Sequence, residues 1–100
     1  MQHLLAAVPP ETRERLVALY LDLLGPGLDA VDRRLHVDPG GDAAQLLHKL
    51  AGGAGMLQDH DVAVHARAME AALLAGDPAA ARASWPALQA AAARSRALLA

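Results

Sequence analysis

Histidine is the side chain with the most scope for chemistry in this sequence. The chain contains no cysteine, and its five histidines are His3, His36, His48, His60 and His65. Imidazole is largely uncharged near pH 7, so one of its ring nitrogens is a nucleophile that needs no separate base. His48 is the most informative of the five, because it lies in a segment with regular helical spacing and unusual neighbours.

The residues around His48 predict a histidine on the outer face of a helix. On a helical wheel of about 100° per residue, the positions opposite His48 are apolar. They are Leu46, Leu50 and Leu57, with Ala43 and Ala54 beside them. We expect this apolar side to face the core and His48 to point into solvent.

The outward face of this helix carries few long side chains. Exposed helix surfaces normally carry Glu, Lys and Gln, and each internal glycine costs about 1 kcal/mol relative to alanine. Glycine on such a surface indicates close approach of another molecule, although an Ala-rich chain with an ordinary surface histidine is the simpler alternative. The predicted docking residues around His48 are Ala44, Gln45, Lys49, Ala51, Gly52, Gly55 and Met56, with Leu4 or Leu5 adding hydrophobic contact.

Other groups of reactive residues give weaker signals. His60 and His65 lie about 140° apart on a helix, unlike the i, i+4 histidine pairs that bind zinc, so we predict no metal site. Ser84 and Ser95 have no acid and base in a recognisable order. The glycines of segment 52–55 lie inside a helix and lack the Lys-Ser/Thr ending of a phosphate loop, so ATP binding is not expected. Arg67 and Glu70 are interpreted as a solvated helix face.

The elements that must position His48 are helices. Alanine and leucine dominate, and the only aromatic residues are Tyr20 and Trp85. Proline, glycine and aspartate divide the chain into helical segments. The first is either one helix from 10 to about 36 that is bent at 25–27 or two collinear helices, and three more helices follow at 43–57, 59 or 61 to about 76, and 78 to about 99. We therefore predict one all-α domain over 1–100, an antiparallel up-down four-helix bundle preceded by a short helical turn at 2–8. Asp42 is the expected N-cap of the second helix, and Asp59 or Asp61 that of the third. The apolar residues that recur at helical spacing are Leu16, Leu19, Tyr20 and Leu23 in the first helix, and Val62, Ala66, Met69 and Leu73 on the inner face of the third.

Composition excludes several classes of partner. The net charge is −2 and the Lys and Arg residues are scattered, so neither nucleic acid nor an anionic membrane is an expected partner. No apolar run is long enough to span a bilayer, and no basic region followed by an apolar stretch opens the chain. A cytoplasmic monomer is the expectation.

The segment at 47–57, which reads LHKLAGGAGML, resembles the phospho-acceptor helix of histidine phosphotransfer (HPt) domains. The likeness continues in register through Val62, the Met69-Glu70 pair and the Gly76-Asp77 turn. Two positions depart from the family pattern. Ala51 stands where the family usually has a lysine three residues after the histidine, and Gln58 stands where a helix-ending glycine is common.

This resemblance implies a function in a two-component phosphorelay. His48 would accept and donate a phosphoryl group, and the partner would be a response-regulator receiver domain, such as that of a hybrid sensor histidine kinase. The domain itself would need no cofactor, because Mg²⁺ is expected only in the receiver, and it would have no ATP-dependent kinase activity. The alternative is a non-catalytic bundle that docks on a receiver or a histidine kinase without passing phosphate.

Overall fold

Four helices form an antiparallel up-down bundle in the computed structural model, which describes residues 7–37 and 42–99. Helix α1 spans residues 10–37, and the others are α2 (Asp42–Met56), α3 (His60–Leu74) and α4 (Pro78–Leu99). The closest packing is between α2 and α3 and between α3 and α4. The predicted all-α bundle is confirmed. Residues 38–41 and most of the predicted turn at 2–8 lie outside the described residues.

Helix α1 is continuous but changes its winding in the middle. Two α-helical parts, Pro10–Asp22 and Leu28–Val37, flank a π-helical turn over Leu23–Gly27 that contains Pro26. Proline has no N–H to donate, and its ring clashes with the carbonyl four residues earlier in an ordinary α-helix. The wider π turn accommodates the proline, so the structure has one continuous helix here rather than two collinear ones.

The helix starts follow the aspartates and prolines, with two differences from expectation. Asp77 accepts a hydrogen bond from the Ala80 amide at 3.1 Å and caps α4, whose first residue is Pro78. Asp42 is itself the first residue of α2, so the prediction that it is the N-cap is wrong. Asp59 occupies the N-cap position of α3, but its side chain makes no capping hydrogen bond, because its carboxylate lies in the core.

The core is lined mainly by leucine and alanine, with one large aromatic side chain from α1. The largest fully buried side chains are Tyr20, Leu24, Leu47, Leu50, Met69, Leu88, Val31 and Val62. The predicted inner face of α3 is buried as expected. Leu19 and Leu46 differ from prediction, since Leu19 is exposed and Leu46 is only partly buried. Within the described ranges, none of the helices combines the length and the apolar character that crossing a membrane requires.

Helices α2 and α3 end in the same backbone motif. After α2, the Asp59 amide donates to the Ala54 carbonyl and the Gln58 amide to the Gly55 carbonyl, which is the Schellman pattern. The central residue must adopt positive φ, and Gln58 does so at 61°. The equivalent residue after α3 is Gly76, with φ at 75°. The helix that carries His48 therefore ends at Met56, although position 58 has no glycine.

Replacing Gln58 by glycine should stabilise the protein. A side chain at positive φ costs about 1 kcal/mol, which glycine does not incur, so Gln58→Gly should raise the free energy of unfolding by about that amount. The reciprocal change Gly76→Gln should lower it by a similar amount. Urea unfolding of both variants measures the pair, and a Gln58→Gly variant no more stable than the parent would contradict this account.

Candidate functional site

His48 lies on the outer surface of α2 and is held by one carboxylate. Its side chain is 80 % exposed, and its Nδ1 lies 2.8 Å from Oε2 of Glu70 on α3. The Glu70 side chain is only 19 % exposed, so the carboxylate is partly sheltered between the helices while the imidazole projects beyond it. The partly sheltered Glu70 carboxylate therefore holds the exposed imidazole ring of His48.

The contact fixes which ring nitrogen is available. An ionised carboxylate can only accept hydrogen bonds, so Nδ1 of His48 carries the proton and donates it to Glu70. In the neutral ring, Nε2 then holds the lone pair and is the nucleophilic atom. The arrangement presents an oriented Nε2 to solvent, and it resembles the way in which a carboxylate orients a catalytic imidazole.

Glu70 is a residue of the site that the sequence analysis placed on a solvated face. It reaches His48 because α2 and α3 are antiparallel neighbours joined by a short turn at Asp59. Residues equally far from the turn of such a hairpin lie side by side, and His48 and Glu70 are each eleven positions from Asp59. This symmetry about the turn is the sequence signal that could have identified the pair.

Two predicted docking residues are not on the exposed face. Ala44 is 5 % exposed and Ala51 is 3 % exposed, so their assignment to an open surface is wrong. On the wheel they lie about 40° and 60° from His48 on the same side as buried Leu47, whereas Gly52 lies about 40° away on the other side. The small side chains of α2 and α3 let these helices approach closely, which extends the buried arc of α2 almost to His48.

The open part of the face lies on the other side of His48. Gln45, Lys49, Gly52 and Met56 are all exposed, as predicted. Within residues 7–37 and 42–99, a Cβ added to Gly52 would meet no atom within 4 Å, so no group of these residues explains the glycine. Gly55 is exposed too, but an added Cβ would lie 3.0 Å from Nη2 of Arg67, so a side chain of the protein itself already lies beside it.

An apolar pocket continues this face towards the end of α2. Its volume is about 420 Å³, and it lies between the first part of α1 and the last turn of α2. The residues that line it are Val8, Leu16, Leu19, Tyr20, Leu23, Gly53, Met56 and Leu57. Gly53 allows α1 to come close, since an added Cβ would lie 3.0 Å from Cδ1 of Leu23. Leu4 and Leu5, predicted to add hydrophobic contact, lie outside the described residues.

A second polar group lies inside the bundle. Asp59 is 7 % exposed, and its Oδ2 accepts hydrogen bonds from the hydroxyls of Tyr20 at 2.6 Å and Ser95 at 2.5 Å. Burial, together with the hydrogen bond to Asp59 and its negative charge, raises the pKa of Tyr20 far above the usual value for tyrosine. Both hydroxyls are therefore donors, and the three residues tie α1 and α4 to the turn between α2 and α3.

None of the other histidines in the described part forms a hydrogen bond to a carboxylate, although His36 Nδ1 lies 3.6 Å from Oδ1 of Asp32. His60 is exposed at the start of α3, His65 is half-buried, and His36 contacts the Asp32 carbonyl oxygen at 2.8 Å. In residues 7–37 and 42–99, no three His, Cys, Asp or Glu side chains come together in a way that would hold a metal ion.

Comparison with known proteins does not assign the chain to a family. No protein-family model, no curated protein and no solved structure matches the chain.

Proposed function

We propose that the protein is a histidine-containing phosphotransfer domain that receives and donates a phosphoryl group at Nε2 of His48. The observation that carries this proposal is the 2.8 Å contact between His48 Nδ1 and Glu70, which leaves Nε2 as the exposed nucleophile. The resemblance of segment 47–57 to the HPt acceptor helix points to the same residue.

The transfer needs only positioning from this domain. The Nε2 lone pair attacks the phosphorus of an aspartyl phosphate, the bond from phosphorus to the aspartate oxygen breaks, and the aspartate leaves as a carboxylate. The ring becomes positively charged as the new bond forms, and Glu70 offsets this charge through the Nδ1–H hydrogen bond. The receiver domain supplies the Mg²⁺ that neutralises the phosphoryl oxygens.

The surface beside His48 suits a large partner. Gly52 leaves the helix backbone open next to the imidazole, and the apolar pocket that Met56 lines gives hydrophobic area one to two turns further along. Exposed apolar area beside a reactive group is typical of a protein-docking surface. The receiver would therefore contact α2 from the side of α1, since α3 covers the opposite side of His48.

The direct test is transfer from receiver domains of the source genome, each purified and phosphorylated with acetyl phosphate. We expect at least one to pass its phosphate to the protein, and the product to be labile in acid and stable in base, as phosphohistidine is. If receivers bind at His48 but transfer nothing, the non-catalytic docking module is the better description. If none binds, both functions are wrong.

Removing Glu70 should slow the transfer without unfolding the protein. Without the carboxylate, the imidazole loses its fixed orientation and the offset to its developing charge, so Glu70→Ala should reduce the transfer rate about tenfold or more. Histidine ¹⁵N shifts of the variant should also show a larger share of the tautomer protonated on Nε2. Glu14→Ala, which removes an exposed carboxylate from α1, is the control. Equal rates in the two variants would mean that the His48–Glu70 contact has no role.

Gly52 provides a test in which stability and function move in opposite directions. Gly52→Glu should stabilise α2 by up to about 1 kcal/mol, because glycine is a poor helix former and the site is open. The new side chain should nevertheless obstruct the receiver and lower the transfer rate at least tenfold. Gly52→Ala is the control, because it should also stabilise α2 but should obstruct the receiver little. Thermal unfolding and transfer assays on the same preparations decide the matter, and unchanged transfer by Gly52→Glu would contradict docking over this residue.

A further inference from the structure

Three of the nine Lys and Arg residues of the chain line one groove beside His48. This cationic groove, with a volume of about 780 Å³, lies between the last turns of α1 and the first turns of α2. Its lining consists of Ala30, Arg33, Arg34, Val37, Asp42, Gln45, Leu46 and Lys49. The concentration of positive charge is notable in a domain whose net charge is −2.

Most of this positive charge has no neutralising carboxylate among the residues that the structure describes. Arg34 has a carboxylate partner, Asp42, at 3.8 Å, and both side chains are more than half exposed, so the pair is weak. Arg33 and Lys49 are exposed and have no ion-pair partner among the described residues. With one carboxylate against three cations, the described residues that line the groove have a formal charge of +2.

The groove is continuous with the surface around His48. Gln45 lines both the cationic groove and the smaller pocket in which His48 and Glu70 lie. Lys49 follows His48 directly on α2 and lies on the open side of the helix, away from Glu70. A protein that covers His48 from the side of α1 would therefore also cover this groove.

The shape of the groove favours a protein segment over a small anion. A small anion is held by donors that converge in a sheltered site, whereas these cations are exposed around a wide opening. Apolar groups lie among them, namely Ala30, the partly buried Leu46, and Val37, whose side chain is well exposed. Cations around an apolar surface complement a segment that carries both carboxylates and apolar side chains.

We infer that the cationic groove binds an acidic, partly apolar segment of the receiver whose phosphoaspartate meets His48. This inference rests on the proposed function and names the part of the partner that recognises the domain. The positive charge attracts the acidic receiver before contact and fixes its orientation over His48. Attraction between exposed charges decreases with salt, so the effect should be greatest at low ionic strength.

The test compares two double charge reversals. Arg33→Glu/Lys49→Glu changes the groove, and Arg82→Glu/Arg94→Glu makes the same formal change at exposed positions of α4. Binding of the unphosphorylated receivers is measured by NMR titration, and transfer to His48 by phosphate labelling, each in 20 mM and 500 mM NaCl. At low salt, we expect the groove variant to have a receiver affinity and a transfer rate about tenfold lower than those of the control. At high salt, each difference should shrink to less than about threefold.

The outcomes separate the groove from the phosphotransfer function. Transfer at equal rates by the two variants would overturn the groove inference and leave phosphotransfer standing. Weaker binding by the groove variant alone, with no phosphate reaching His48 in any protein, would support the groove and reject phosphotransfer. If no receiver either binds or transfers phosphate, both are overturned. Circular dichroism establishes that the two variants are equally folded.

Discussion

The His48→Gln variant is expected to fold normally and to take up no phosphate from a phosphorylated receiver. The His48 side chain is 80 % exposed and contributes little to the core, so thermal stability should stay within about 0.5 kcal/mol of the parent. Glutamine can still hydrogen-bond to Glu70, but it has no nucleophilic nitrogen. Labelling should therefore fall to background, a loss of at least about 10³-fold if His48 is the sole acceptor.

The matched control is His60→Gln, which removes another exposed histidine at the start of the neighbouring helix. Its labelling should equal that of the parent. Phosphate incorporated at normal yield by the His48→Gln variant would remove His48 from the mechanism. Loss of labelling in both variants would mean that replacing either histidine disturbs docking of the receiver. NMR titration with the unphosphorylated receiver would distinguish a loss of docking from a loss of the acceptor nitrogen.

The Asp59→Ala variant is expected to lose about 3 kcal/mol of stability, because two buried hydroxyls lose their acceptor at once. Tyr20 and Ser95 both donate to the same Asp59 oxygen in the core. A domain of this size has roughly 5 to 15 kcal/mol in total, so the loss is a large share. Asp61→Ala, an exposed aspartate in the first turn of α3, should cost less than about 1 kcal/mol.

Urea unfolding gives both values, and a double-mutant cycle separates the two hydrogen bonds. Tyr20→Phe should lose about 1 to 2 kcal/mol in the parent and much less in an Asp59→Ala background, because the bond it removes is already absent there. A cost for Asp59→Ala no larger than that for Asp61→Ala would show that the buried group contributes nothing to stability. Strictly additive losses would show that Tyr20 and Asp59 act independently.

The helices could be predicted from the sequence because their ends have local causes. Proline at Pro10 and Pro78, an aspartate cap at Asp77 and a glycine at Gly76 act within one or two turns of the chain. The outward position of His48 was also predictable, since a strong leucine pattern fixes the opposite side of α2. Gln58 shows the limit of such signals, because it adopts the conformation usually taken by glycine.

The width of the buried face of α2 could not be predicted in the same way. Alanine is common both in cores and on helix surfaces, so Ala44 and Ala51 fit either environment. The structure buries them because α3 packs closely against this side of α2. The same close approach brings Glu70 to His48. Both facts depend on contacts between helices, which the periodicity of a single helix does not contain.

The buried polar group was missed for a related reason. Asp59 has the right position for an N-cap, and Ser95 lies in an Ala-rich helix, so each has an ordinary local explanation. The hydrogen bonds that Asp59 accepts from Tyr20 and Ser95 join residues 39 and 36 positions apart, and only the folded bundle brings them together. Residue type gives the hydrogen-bonding capacity of these side chains, whereas the tertiary packing decides which partner satisfies it.

The π turn in α1 has a consequence for how different parts of the protein open to solvent. The part of α1 before it, Pro10–Asp22, contributes one buried residue, Tyr20, whereas each of the other helices contributes several. Segments with few buried contacts exchange their amide hydrogens through local opening, well below the free energy of global unfolding. We expect the amides of this part to exchange early and those of α2 and α3 to exchange last. The apolar pocket beneath it would then vary in width within the native state, while His48 and Glu70 remain on the slowest-exchanging helices.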